Sequence, residues 1–132
     1  MTITDNLISD ISNAPEWFLK SIANKGVDVL INDPNGDISY SKWKSNNQSK
    51  NLLILIHGTG AHKKWWDPIA PQFIDDTNVI AVDLPGMGDS DFREKYSIKD
   101  FGSCIFSIIE KEKKDVQIEN IYIVGHSLGG QV

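Results

Sequence analysis

A serine flanked by glycines is the residue of this sequence best suited to covalent chemistry. Ser127 lies in the segment GHSLGG at residues 125–130, directly after the apolar run at 121–124. This order predicts a buried strand that turns sharply into a helix, with a strained Ser127 backbone and the hydroxyl held above the sheet. Glycines suit positions 125 and 129 because a Cβ there would collide with the neighbouring strand or helix. Ser127 is therefore the candidate nucleophile.

Two backbone N–H groups are candidates for stabilising an oxyanion over Ser127. One belongs to Leu128, at the N-terminus of the predicted helix. The other belongs to Thr59, in the segment HGTGAH at residues 57–62, which follows the apolar run at 52–56. Because the carboxyl ends of parallel strands meet at one edge of a sheet, we expect both loops to lie at that edge. The residues expected to line a substrate pocket there are His57, Gly58, His62, Trp66 and His126.

A serine nucleophile also needs a general base, and none of the three histidines of the chain fits that role. His57 is expected to brace the loop backbone, and His62 to reach substrate from a loop. His126 neighbours Ser127 along the chain, so its ring should diverge from the serine hydroxyl. The carboxylates that follow the apolar run at 78–82 are interpreted as acceptors of backbone N–H groups in a turn; they are Asp83, Asp89 and Asp91.

The apolar segments predict an α/β fold, in which strands alternate with helices. Two short strands separated by turn formers at 32–37 predict an antiparallel hairpin with one solvated face. Three continuous apolar runs predict parallel strands that are buried on both faces. The hairpin strands cover 27–31 and 38–43, and the parallel strands cover 52–56, 78–82 and 121–124.

Three helices are predicted around this sheet. The first runs from residue 14 to residue 25 and ends before Gly26. The second begins at residue 67, with Ile69 and Phe73 buried. The third begins after Ser97, which is a capping residue, and packs an apolar stripe on the sheet. This stripe consists of Ile98, Phe101, Ile105, Ile108 and Ile109, with the thiol of Cys104 packed beside it.

The composition argues against several classes of protein. The 132 residues carry a net charge of −5 without a basic run, which gives no electrostatic basis for binding nucleic acid or anionic lipid. No apolar run approaches the roughly 20 residues of a membrane span, and the first residues lack a signal-peptide pattern. The single cysteine excludes an internal disulfide framework. We therefore expect a cytoplasmic protein without nucleic-acid or membrane partners.

Taken together, the motifs resemble the α/β-hydrolase superfamily. The resemblance rests on HG at 57–58 after a strand, DLPGMGDS at 83–90 and GHSLGG at 125–130, and it covers residues 27–132. It implies an esterase-like serine hydrolase that forms an acyl-enzyme at Ser127, with no cofactor and no metal. The implied substrate is a small molecule that is cleaved at an ester, thioester, amide or C–C bond. A serine at 127 differs from the aspartate of the family's haloalkane dehalogenases and epoxide hydrolases.

The sequence departs from the family at the catalytic acid and the histidine. In the family these residues follow the nucleophile in the order Ser, Asp, His, whereas five residues follow Ser127 here. We therefore expect an N-terminal arm and short helix at 1–26, loose up to residue 13, and the N-terminal half of a hydrolase domain at 27–132, inactive alone. The exposed edge of the strand at 121–124 is expected to favour association.

Two alternative functions stay open from the sequence. The first is a non-catalytic half-domain that pairs with a complementary chain or has no function. The second is a nucleotide-binding α/β domain that uses the loop at 86–88. The second is disfavoured because the loop has neither the G-x-G-x-x-G spacing nor the lysine of a phosphate-binding loop.

Overall fold

The computed structural model describes residue 11 and residues 13–132, so most of the arm predicted at 1–13 lies outside the described residues. The described chain forms a five-stranded sheet with the strand order β1-β2-β4-β3-β5. Short 3₁₀ turns cover Lys63–Trp66, Ala70–Phe73 and Ser127–Gly130. The other elements are α1 (Glu16–Ala23), β1 (Val27–Ile31), β2 (Ile38–Trp43), β3 (Asn51–Ile56), β4 (Asn78–Val82), α2 (Ile98–Asp115) and β5 (Asn120–Gly125).

The β1–β2 hairpin has the predicted bounds, but the predicted solvated face is present only on β1, and the prediction is wrong for β2. β2 pairs antiparallel with β1 on one side and with β4 on the other, so it is an inner strand. Its polar residues Ser39 and Ser41 are consequently buried. Each hydroxyl is hydrogen-bonded: Ser41 donates to Asp28 at 2.5 Å, and Ser39 accepts from Lys63 Nζ at 3.0 Å. The polar residues that alternate with apolar ones in β2 are therefore buried serines with hydrogen-bond partners, and they do not form a solvated face.

The predicted parallel core is confirmed for β3 and β4, whereas β5 is not buried. β3 pairs in parallel with β4 and with β5. The apolar residues of β3 and β4 are buried on both faces of the sheet. β5 lies at the edge of the sheet, and its apolar side chains are between 36% and 55% exposed. An apolar run alone does not distinguish an inner strand from an edge strand, and the sheet order decides this.

α2 follows the sequence prediction closely. The Ser97 hydroxyl accepts a hydrogen bond from the Asp100 N–H at 3.1 Å and so caps the helix. The predicted stripe is buried apart from Ile98, which is exposed. Cys104 is buried in this stripe, and burial raises the pKa of its thiol. None of the described helices combines the length and apolarity needed to cross a membrane.

The helix predicted from residue 67 is absent between β3 and β4. The connection consists of two 3₁₀ turns, and both Ile69 and Phe73 are exposed. Pro71 lies inside the second turn, where it supplies no N–H for an α-helical bond. Ala70, between these residues, is the side chain that is buried against the sheet. The crossover is therefore short and closely packed rather than helical.

α1 is also placed differently from the prediction. It ends at Ala23 and is capped by Asn24, whose carbonyl accepts a hydrogen bond from Trp43 Nε1 at 2.8 Å. Gly26 does not end the helix. A Cβ at Gly26 would lie 2.8 Å from the Trp43 ring, so this glycine allows the chain to pass close to the indole. The division of the chain at residues 26 and 27 stays a prediction.

We expect Ser97→Ala to lower the free energy of unfolding by about 1 kcal/mol, because it removes the side-chain acceptor at the N-terminus of α2. Ser103→Ala is the matched control, since Ser103 lies on the same helix and donates only to the Lys99 carbonyl one turn earlier. Urea unfolding of both variants measures the difference. Equal losses in the two variants would show that the cap contributes nothing specific.

Candidate functional site

Ser127 has the strained backbone that the sequence predicts. Its φ is +52°, a left-handed conformation that costs a residue with a side chain roughly 1–2 kcal/mol. The strained turn is held between two elements. The N–H of His126 donates to the Ile56 carbonyl at the end of β3, and the N–H of Gly129 donates to the His126 carbonyl. The hydroxyl-bearing residue is exposed at the carboxyl end of β5.

The glycines on either side of Ser127 are required by close packing, as predicted. A Cβ at Gly125 would collide with the Gly129 carbonyl. A Cβ at Gly129 would collide with the Ile56 carbonyl and lie 2.7 Å from the His57 carbonyl. The turn therefore folds back on its own strand and presses against the end of β3. A side chain at either glycine would push Ser127 away from the neighbouring loop.

We expect Gly129→Ala to lower the free energy of unfolding by about 2 kcal/mol or more, because the added methyl group meets backbone atoms that cannot move aside. Gly130→Ala is the matched control, since the nearest atom to a Cβ there is 3.4 Å away. Its effect should stay within about 1 kcal/mol. Denaturant unfolding of the two variants measures both effects. Similar stability for both would contradict the close packing at Gly129.

The loop after β3 lies directly beside the serine turn. A Cβ placed on Gly58 would be 3.2 Å from the Ser127 Cβ and 2.9 Å from His126 Nδ1. The loop then makes a tight turn, in which the Ala61 N–H donates to the Gly58 carbonyl at 3.2 Å and Gly60 has a φ of +72°. Within the described part of the chain, the N–H groups of Thr59 and Leu128 donate no hydrogen bond. Both N–H groups are therefore unpaired among the described residues, and their role as oxyanion donors stays a prediction.

His57 fixes the direction of the Thr59 N–H. Its Nδ1 lies 2.7 Å from the Gly58 carbonyl oxygen and therefore donates to it, while its Nε2 accepts the Leu84 N–H at 3.1 Å. Because the carbonyl and the N–H of a trans peptide point in opposite directions, holding the Gly58 carbonyl also orients the Thr59 N–H. The expected bracing role of His57 is observed. Its expected place in the pocket lining is wrong, because the ring is completely buried.

Burial lowers the pKa of His57 below its usual value of 6.5, which keeps the ring neutral as the Leu84 bond requires. In the unfolded chain the His57 ring is protonated near pH 6.5. In the folded chain it is protonated only at a lower pH. This contribution to stability is therefore complete above pH 6.5 and is lost as the pH falls through the folded-state pKa.

We accordingly expect the free energy of unfolding to fall as the pH drops below 6.5, which begins above the range in which carboxylates usually titrate. His57→Gln should flatten this dependence. The exposed His62→Gln is the control and should retain it. Urea unfolding at a series of pH values measures the slopes, and identical slopes for wild type and His57→Gln would contradict the assignment.

Two of the predicted pocket residues, His126 and Trp66, lie in different parts of the structure. His126 is exposed, and its ring packs edge-to-face on Trp65 at a centroid distance of 4.7 Å. Trp66 instead packs on the apolar cluster under the sheet, with Leu53 and Ala70 among its members. The half-exposed tryptophan beside the serine turn is thus Trp65 and not Trp66, the one predicted to line the pocket.

A buried ion pair next to the loop is the main feature that sequence reasoning missed. The Lys63 side chain is 1% exposed, and its Nζ lies 2.8 Å from Asp83 Oδ2 and 2.5 Å from Asp89 Oδ2. Burial disfavours the ammonium charge, but the hydrogen bonds that the ammonium donates to the two carboxylates outweigh this and raise the pKa of Lys63. The exposed His62 and Gly88 border a cavity of about 280 Å³ beside this pair. Within a polar loop, nothing in the sequence distinguishes Lys63 from its neighbour Lys64.

The predicted role of the loop carboxylates as acceptors of backbone N–H groups is confirmed for Asp83 and Asp91 and is wrong for Asp89, whose carboxylate pairs with the Lys63 ammonium instead. Asp83 accepts the N–H groups of Lys63 and Asp89 at 2.5 and 2.9 Å. Asp91 accepts the Asp37 N–H at 2.8 Å. Asp89 adds the ion pair to Lys63, and the hydrogen bond from that ammonium lowers the pKa of the Asp89 carboxyl. These carboxylates are therefore engaged in holding the loop after β4.

All three histidines of the chain are described, and none of their rings hydrogen-bonds Ser127. Both ring nitrogens of His57 are engaged with the backbone, and the ring of His126 packs on Trp65. The helix predicted after Ser127 is a short 3₁₀ turn in the structure, and the described residues bring the strained serine of this turn together with the loop after β3.

A strained serine at the end of a parallel strand, beside a glycine loop, defines the class of α/β hydrolases. Residues 53–132 match the sequence profile of the alpha/beta hydrolase family, and this match covers more than half of the chain. The chain therefore belongs to the alpha/beta hydrolase family. The resemblance and the fold class inferred from the sequence are both confirmed.

Relatives in this family include enzymes that act on esters. The chain is 33% identical over 82 residues to the pimeloyl-[acyl-carrier protein] methyl ester esterase of Pseudoalteromonas atlantica, covering 61% of this chain and 29% of that protein. It is 25% identical over 124 residues to the monoglyceride lipase of Homo sapiens, covering 91% of this chain and 41% of that protein. The chain thus spans less than half the length of these relatives.

A solved structure with a similar fold is the thioesterase domain from the curacin biosynthetic pathway. The two align with a TM-score of 0.66 and 25% sequence identity. The alignment covers 80% of this chain and 38% of that domain. The similarity in fold therefore extends over most of this chain.

Proposed function

We propose that residues 1–132 supply the nucleophile and the oxyanion hole of an esterase-like serine hydrolase. The observation that carries this proposal is the positive φ of Ser127, held beside Gly58 with two unbonded N–H groups nearby. Backbone strain of this kind clusters at active sites, where the surrounding structure holds it in place. Membership of the alpha/beta hydrolase family supports the same assignment.

In the proposed reaction, the Ser127 hydroxyl attacks the carbonyl carbon of the substrate while a base removes its proton. The carbonyl oxygen becomes an oxyanion, which the N–H groups of Thr59 and Leu128 stabilise. Each such donor typically contributes roughly 3 kcal/mol to lowering the barrier. The alcohol or thiol then leaves with a proton, and water hydrolyses the acyl-enzyme. No cofactor or metal takes part in this mechanism.

We propose a small-molecule carbonyl compound as substrate, with an ester or thioester favoured over an amide or a C–C bond. The relatives named as a methyl ester esterase, a monoglyceride lipase and a thioesterase domain support this order. The exposed His126 and Trp65 rings form an aromatic surface beside Ser127 for the apolar part of such a substrate. The other two predicted pocket residues, Gly58 and His62, belong to the loop after β3 that also carries Thr59.

We further propose that the 132-residue chain is inactive by itself, because its histidines do not reach the serine as a base would need to. A base and an acid would then be supplied by other polypeptide that covers β5. The alternative is a non-catalytic half-domain, and the exposed apolar edge of β5 favours association in either case. A cytoplasmic location without nucleic-acid or membrane partners stays a prediction from composition.

The test is whether an organophosphorus probe reacts at Ser127. We expect the chain alone to hydrolyse p-nitrophenyl esters no faster than Ser127→Ala, because an unassisted alcohol is a weak nucleophile. With imidazole added as a soluble base, a fluorophosphonate should form an adduct on Ser127, located by mass spectrometry of peptides.

Two controls make this test specific. Ser107→Ala, at an exposed serine of α2, should be labelled like the wild type, and Ser127→Ala should not be labelled. An adduct on another residue, or no adduct at all, would refute the nucleophile assignment. Ser127-dependent ester hydrolysis by the chain alone would refute its proposed inactivity and would point to one of its own histidines as the base.

A further inference from the structure

We propose that Lys63 is a positioning residue that holds the Thr59 N–H in place beside Ser127. The inference rests on the proposed function, in which Thr59 supplies one donor of the oxyanion hole. It arises from a juxtaposition in the structure: the loop at 57–63 is attached at both ends to Asp83 and Leu84, two successive residues of the loop after β4.

The loop needs external anchors because its own structure is weak. It contains two glycines, Gly58 and Gly60, which restrict the backbone least of all residues. Its internal backbone bonding is the single turn from the Ala61 N–H to the Gly58 carbonyl. Thr59, at the tip, is exposed. The direction of its N–H therefore depends on how firmly the two ends of the loop are held.

Lys63 holds its end of the loop through its backbone and its side chain together. The Lys63 N–H donates to Asp83 Oδ1 at 2.5 Å, and the Lys63 ammonium donates to Asp83 Oδ2 at 2.8 Å. A third bond joins the ammonium to the Ser39 hydroxyl on β2 at 3.0 Å. Lys63 is thus fixed both to β2 and to the loop after β4. At the opposite end, His57 accepts the Leu84 N–H.

Asp83 is a rigid anchor for this contact. Its carboxyl group is fully buried, and its backbone N–H donates to the Ser39 carbonyl at 2.9 Å. Its own carbonyl accepts the Ser90 hydroxyl at 2.8 Å. Gly88, with a φ of +56°, passes so close to the carboxylate that a side chain there would collide with it. The Asp83 carboxylate therefore cannot follow Lys63 if the loop moves.

The neighbouring lysine shows that the arrangement is specific to Lys63. Lys64 is exposed, and its ammonium pairs with Asp28 at 2.9 Å on β1, away from Asp83. Burying an ammonium is costly unless opposite charges and hydrogen bonds compensate for it. Lys63 receives that compensation from a buried carboxylate and from Asp89. The buried Lys63 ammonium is therefore compensated in this position of the loop, where both carboxylates are within reach.

The experiment measures the order of the Thr59 and Gly60 N–H vectors by ¹⁵N relaxation in the 132-residue chain. We expect order parameters of about 0.85 in the wild type and below about 0.6 in Lys63→Met, with β3 amides unchanged. Lys63→Met leaves the Asp83 charge unpaired, so Lys63→Met/Asp83→Asn provides a second variant that removes both charges. Lys64→Met is the matched control and should keep the wild-type values.

A fall in Tm with unchanged order at Thr59 and Gly60 in either folded variant would overturn the proposal, because Lys63 would then serve stability alone. Equal loss of order in Lys64→Met would overturn it too. The measurement needs no turnover. A failure of Ser127 to react would therefore count against the proposed function, and a rigid Thr59 in the Lys63 variants would count against the positioning role.

Discussion

The pairing of β3 in parallel with both β4 and β5 is the constraint on which the rest of the structure depends. Ile56 at the end of β3 aligns with Val82 on one side and with Gly125 on the other. The loops that follow these three strands therefore begin at the same level of the sheet. This register places the serine turn and the loop after β4 on either side of the glycine loop at 57–63, although the three segments are far apart in the sequence.

Two buried polar side chains then attach the glycine loop, and they do so in opposite electrostatic states. His57 is kept neutral by burial, because its Nε2 must accept a backbone N–H. Lys63 stays charged, because buried and exposed carboxylates surround its ammonium. A polar group buried in a protein must either give up its charge or find a partner for it. Here both solutions hold the same short loop.

The serine turn lies on the least covered strand of the sheet. β5 pairs on one side only, and its apolar side chains remain exposed. The position of Ser127 is nevertheless well defined, because it depends on contacts with β3: the Gly129 backbone lies against the Ile56 and His57 carbonyls. Local backbone packing thus fixes the strained serine without any cover on the outer side of β5.

The sequence by itself determined the strand bounds at 27–31, 38–43 and 78–82, the cap at Ser97 and the strained glycine-flanked turn at Ser127, because each depends on local periodicity or backbone geometry. Only the tertiary structure decided that β2 is an inner strand, that β5 is an edge and that Trp65 rather than Trp66 borders His126. It also decided that Lys63 is buried, because its partners are residues 39, 83 and 89, which are distant in the sequence. Whether a lysine is solvated or buried depends on these distant partners, which local sequence does not encode.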